Sequence, residues 1–206
     1  MFSSFLTGFF LGLSLIIAIG AQNTFVLRQG ILGHHVFYVA LFCALSDALL
    51  ISIGIAGISF FFNNFINQYS SILFGLSAVW ITCYGVIRLL SAFKSNKIIE
   101  MEASSLKGLF PTISIAAVLT FLNPHVYLDT MILIGSISQQ FYGFQKITFT
   151  IGASLASFVF FFSLAYGSRI LNPLMQKSFS WKILDSLIAI IMFTIAFNLA
   201  LKGNWL

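Results

Sequence analysis

The sequence predicts an all-α polytopic membrane protein, and three observations carry that expectation. Mean hydropathy is +1.02, with 59% hydrophobic and only 7% charged residues. A soluble domain with so few charges could not cover its surface with polar groups. Several apolar runs reach the roughly 20 residues that a helix needs to cross a bilayer. The short alternating segments of a transmembrane β-barrel are missing.

Charges and polar clusters divide the chain into six expected spans, at about 2–27, 36–62, 70–92, 109–138, 147–168 and 183–201. The first ends at Arg28-Gln29-Gly30 and the pair His34-His35, and the second at the uncharged turn NNFINQY. Between the third and fourth lies one distinctly hydrophilic loop, 93–108, with Lys94, Lys97, Glu100, Glu102 and Lys107. The N-terminus, MFSSFLTGFF, lacks the basic start of a signal peptide, so its run is expected to stay as a span. The 25 phenylalanines fit lipid-facing surface better than aromatic cages. Residues 1–206 read as a single transmembrane domain without a glycine-rich phosphate loop.

Six spans put both termini on one side. Of the ten Lys and Arg, the odd-to-even connections carry all but Lys146 and Lys202. The positive-inside rule then places those connections in the cytoplasm and both termini outside. The net charge of +5 is accounted for by this flanking role, so no nucleic-acid partner is expected.

Two acids fall well inside the spans: Asp47 in the second and Asp129 in the fourth. A mid-span acid costs about 2.5–3.5 kcal/mol on insertion scales and is tolerated where it meets a partner or a watery cavity. The face of Asp47 reads Cys43, Asp47, Leu50, Gly54, Gly57, with small residues that permit close helix packing. A structural acid bonded to a neighbouring helix is the plainer account; a substrate or proton site is the preferred one. Asp185, one turn from Lys182, is expected to be an ordinary helix-start acid or surface ion pair.

The stretch FLNPHVYLDT, 121–130, interrupts the fourth span. Pro124 has no N–H, so the carbonyl of Thr120 loses its helical partner, and Asn123 is pushed away from helical geometry. Open backbone survives in a membrane only against protein or water. Asn123, His125 and Tyr127 supply polar groups beside the break, and Asp129 follows about one turn beyond His125. The first span has a weaker counterpart in AIGAQNTFVLRQG, where Gly20 loosens the helix beside Gln22 and Asn23. Aligning Asn23 with Pro124 suggests two inverted three-helix repeats with broken first and fourth helices. In transporters such breaks mark a binding site near the midplane.

The segments GAQNTFVLRQG, CALSDALLISIGIAG and TFLNPHVYLDTMILIGS resemble the signature segments of the LysE/ArgO lysine and arginine exporters. The resemblance covers the whole chain in length and span pattern. It implies export of basic amino acids across the bacterial inner membrane, coupled to an ion gradient. It carries functional positions onto Asn23, Asp47, Asn123, Pro124, His125, Tyr127 and Asp129. The chain departs from the family at Ala21, where many members have proline, and the basic residue at Arg28 is not a constant feature.

The residues themselves suggest how such export would work. Low dielectric strengthens attraction between a carboxylate and an ammonium or guanidinium. Competition of a proton and a cationic substrate for Asp47 and Asp129 is the simplest antiport scheme, with Asn23 and Asn123 as polar ligands. Arg28 could pair with one of the aspartates in one state. The proton is the expected coupling ion; no cofactor is expected, and a homodimer is left open. An exporter of neutral amino acids or of a metal cation on the same fold is the alternative; His125, Asp129 and Asp47 would then be ligands. Enzyme classes fit poorly. The GxGD segment of intramembrane aspartyl proteases is absent, and Cys43 and Cys83 are isolated, without the CxxC pattern of a redox or metal site.

Overall fold

The structure is a computed structural model that describes residues 1–17, 20–93, 108–176 and 178–202. The hydrophilic loop expected at 93–108 lies almost wholly outside the described residues, as do the side chains of 57–70 and those of Pro124 and His125. All regular elements among the described residues are helical.

Helix α1 spans Phe2–Ile16 and α2 spans Ala21–Leu32. Helix α3 spans Val36–Ile53 and passes through a π-helical turn, Gly54–Ile58, into the long α4, Ser59–Phe93. Helix α5 spans Leu109–Phe121. Helix α6 is the single turn Pro124–Tyr127, continued by π-helical Leu128–Leu133 and by α7, Ile134–Ile137. Helix α8 spans Phe144–Gly167 and leads through a 3₁₀ segment, Ser168–Gln176, to α9, Ser178–Lys202.

Three of the described helices are each long and apolar enough to cross a membrane: Val36–Ala56, Phe144–Leu171 and Phe179–Leu201. The pair α1 and α2 passes the same test together, as a fourth span or a re-entrant loop, bent by 83° at its break. Ala78–Phe93 and α5 are shorter apolar helices. The expected broken first and fourth helices are present as breaks in the chain. The expected turn at NNFINQY is not: α4 runs helically through it, and the irregularity sits earlier, in the glycine-containing Gly54–Ile58. Uncharged Asn and Gln have only modest helix penalties, so the polar cluster by itself does not stop the helix.

Packing is dominated by two associations, α1 and α3 along α8, and α4 along α9. Small residues create the first. Ser4, Gly8, Gly12 and Ile16 recur every four residues and form the buried face of α1. A methyl group added at Gly8 would strike the backbone of Phe149, and one at Gly12 would press on Ala153 at 3.1 Å. Within a bilayer, where apolar burial alone does not join helices, such small-residue faces allow the backbone approach that does. Gly54 plays the same part between the two π-helical segments. Its virtual Cβ falls 2.5 Å from Met131 Cα.

Candidate substrate cavity at two helix breaks

Both breaks are closed by side chains that reach back across them. Where α1 ends, the carbonyls of its last turn lack helical partners. Asn23 Nδ2 donates to Ile16 O across the gap at 2.8 Å. Where α5 ends, the Tyr127 hydroxyl donates to Phe121 O, also at 2.8 Å. On the far side of each gap a threonine stitches the next helix. Thr24 Oγ1 donates to Gly20 O at 2.8 Å, and Thr130 Oγ1 donates to Val126 O at 2.6 Å. The repeated arrangement is the local reason that two interrupted backbones persist.

The breaks open onto one cavity of about 230 Å³. This is somewhat below the ~300–1,000 Å³ of drug-sized ligand pockets, a size suited to a small ligand. Its polar wall includes Gln22, Asn23, Asp47, Asn123, Asp129 and Asn198. Asp47 comes from the middle of α3 and Asp129 from the π-helical continuation of α6. Both carboxylates line the same cavity. Asp47 is 4% exposed, and its Oδ1 is buried without a hydrogen-bond partner. Gln22, 6% exposed, lies beside Asp47 and Cys43, with its side chain engaged by both. Buried polar groups are seldom left without partners, and Gln22 and Asp47 form a polar cluster in the wall of the cavity.

Four of the expected site residues, Asn23, Asp47, Asn123 and Asp129, thus line one cavity, and so does Gly20 of the first break. Pro124 begins α6, as the expected break requires. Tyr127 is not part of the lining; its hydroxyl is committed to Phe121 O, a role in closing the break. The His125 side chain lies outside the described residues. The lining residues that the sequence did not single out include Gln22, Asn198 and Phe161. Gln22 was read only as a polar neighbour of the first break. Asn198 and Phe161 sit on α9 and α8, far along the chain, and carry no local motif that could have singled them out. Among the described residues no three His, Cys, Asp or Glu side chains are grouped as a metal site.

Asp185 corrects an expectation. It is 1% exposed, and its Oδ1 lies 3.5 Å from Arg28 Nε and 3.8 Å from Arg88 Nη1. Both arginines are buried too, and their guanidinium groups lie over Trp181 and Tyr84 respectively. The acid expected at the surface beside Lys182 is therefore the centre of a buried ion cluster joining α2, α4 and α9. Arg28 and Arg88, counted above as flanking charges, face protein.

A family model described as LysE type translocator matches residues 13–203. Several relatives are named arginine exporter protein ArgO. One from Salmonella typhimurium is 36% identical over 203 residues, covering 98% of this chain and 96% of the relative. Another from Pectobacterium carotovorum is 34% identical over 207 residues, covering 98% and 99%. No solved structure matches the chain.

Proposed function

The chain belongs to the LysE type translocator family, and from that premise we propose that it exports basic L-amino acids, arginine or lysine, by exchange for protons. It is a membrane transporter, not an enzyme, and its family and apolar helices support a multi-pass location in the bacterial inner membrane. The observation that carries the substrate class is the shared cavity. Two carboxylates, Asp47 and Asp129, line it, with no arginine or lysine among its described lining residues. A site with that charge balance favours a cation. The name arginine exporter, borne by relatives of nearly the same length, supports the same class.

Exchange follows from the two acids. Substrate and proton compete for carboxylates that cannot both stay ionised and unpaired in low dielectric at small cost. Carrying one positive charge outward against the membrane potential costs about 2.3 kcal/mol per 100 mV. Inward return of one proton cancels that charge, and return of two would draw on the potential as well. The breaks lie at corresponding places in the first and fourth expected spans, which supports six spans in two inverted repeats. The charge distribution supports both termini outside; a C-terminal reporter found in the cytoplasm would refute that orientation.

Counterflow in proteoliposomes tests the substrate class. Arginine or lysine should drive uptake of labelled arginine, whereas neutral amino acids and divalent metal ions should not. Counterflow driven equally well by a neutral amino acid or a metal ion would replace the proposal with the alternative exporter.

A further inference from the structure

The helices fall into two packed groups, and one ion cluster joins them. Helices α1, α2 and α3 pack on α8, whereas α4 packs along α9. Among the described residues the groups meet sparsely. Helix α8 packs along neither α4 nor α9, and α2 touches α9 only briefly. The cavity lies in this seam: Asn23 and Asp47 line it from the first group, Ile195 and Asn198 from the second. The cluster lies in the same seam, at one end of the bundle. Arg28 stands near the end of α2, Arg88 near the end of α4 and Asp185 near the start of α9. At a helical rise of ~1.5 Å per residue, Arg28 is about 7.5 Å beyond Asn23, and Asp185 is about 15 Å from Ile195. None of the three charged residues is among the described lining of the cavity.

We propose that the cluster of Arg28, Asp185 and Arg88 is a gate across this seam, closed in this structure and parted during transport. Its opening joins the cavity to the face where α2 ends and α9 begins. The gate requires a transporter but no particular substrate. Both arginines approach the same carboxylate oxygen: Asp185 Oδ1 is 3.5 Å from Arg28 Nε and 3.8 Å from Arg88 Nη1. Arg88 and Asp185 belong to one packed group and Arg28 to the other. Separation of the groups takes Arg28 from the acid and leaves Arg88 with it. Stranding a buried charge without any partner is the costly event, and the second arginine prevents it. Arg28 then meets the water that fills the opened seam. The Arg28 guanidinium also lies over Trp181 of α9, a second contact across the seam that parts in the same movement. Helix α2 is fastened to its own group instead. Gly30 sits so close to Ala165 and Ser168 that a Cβ would not fit. A junction made of a few charges can open and close, whereas interlocked core packing resists gradual deformation.

Accessibility of the cavity from each membrane face tests this in the full-length protein. Ile195→Cys places a thiol in the cavity wall, and a membrane-impermeant maleimide is applied to right-side-out or inside-out vesicles. The parent protein, with Cys43 and Cys83, is labelled in parallel as background. Arg28→Gln added to the reporter should raise labelling from the face where α2 ends by about fivefold or more, and lower it from the opposite face. Arg88→Gln should act the other way, because Asp185 is then left to Arg28 alone and the groups are held together. Arg28→Lys keeps the charge and should shift labelling as Arg28→Gln does, but less; it serves where Arg28→Gln fails to insert. A cluster that only stabilises the fold would make the two arginines equivalent. Labelling that stays unchanged in the Arg28 variants, rises equally from both faces, or responds alike to Arg28→Gln and Arg88→Gln would overturn the gate.

Discussion

Arg28 Nε and Asp185 Oδ1 lie 3.5 Å apart with both side chains almost wholly buried. The pair ties the half-helix α2, which begins at the cavity, to α9, which also lines it through Asn198. Removing one partner from a buried ion pair leaves a charge without compensation and costs about 3–5 kcal/mol. Asp185→Ala should therefore lower the thermal unfolding temperature of the detergent-purified protein sharply, and Arg28→Ala should do the same. A surface acid would cost about 0.5 kcal/mol or less, so an unchanged melting curve would refute the buried cluster.

The same pairing bears on transport. Because Arg28 is engaged by Asp185, exchanging Arg28 with Asp129 should give no mutual rescue of export. Restored arginine efflux in that double variant would mean that Arg28 meets Asp129 in another state of the cycle.

Asp47→Asn and Asp129→Asn should each still insert and should lose arginine export by about 30-fold or more, the consequence of removing one member of a close charge contact. Efflux from cells loaded with labelled arginine, normalised to membrane-inserted protein, measures this. Wild-type rates in both variants would end the carboxylate mechanism.

The two bridging hydrogen bonds should behave as a pair. Tyr127→Phe removes the donor to Phe121 O, an exposed hydrogen bond whose loss costs about 0.5–1.5 kcal/mol. Asn23→Leu removes the donor to Ile16 O with similar effect. Tyr127→Phe should lower stability without shifting arginine affinity, because Tyr127 is outside the cavity. A change in affinity with unchanged stability would return Tyr127 to the substrate-binding residues.

Gly54→Ala places a methyl group against the Met131 backbone, where a Cβ would lie 2.5 Å from Met131 Cα. Overpacking of this kind costs about 1–3 kcal/mol, and here it would push apart the two segments that carry Asp47 and Asp129. Both thermal stability and export should fall. Unaltered export would show that these segments need no such close approach.

Composition and short-range chemistry determined much of this protein. Apolar runs specified helices in a membrane, because lipid leaves the backbone no other partner than itself. Pro124 marked one break through its missing N–H, and Gly20 with Asn23 marked the other through loose backbone and a polar neighbour. Asp47 and Asp129 stood out because an acid in an apolar helix needs a reason to be there. Tertiary structure decided which of these residues meet. Whether Tyr127 lines the cavity or closes a gap depends on where its hydroxyl reaches, which spacing along a broken helix does not define. Gln22 and Asn198 became cavity residues only through the packing of α2 and α9. Asp185 looked like a helix-start acid beside Lys182, yet packing of α2, α4 and α9 buried it against two arginines distant in the chain. Burial and long-range pairing are properties of the assembled helices, so local pattern could mark the charges but not their partners.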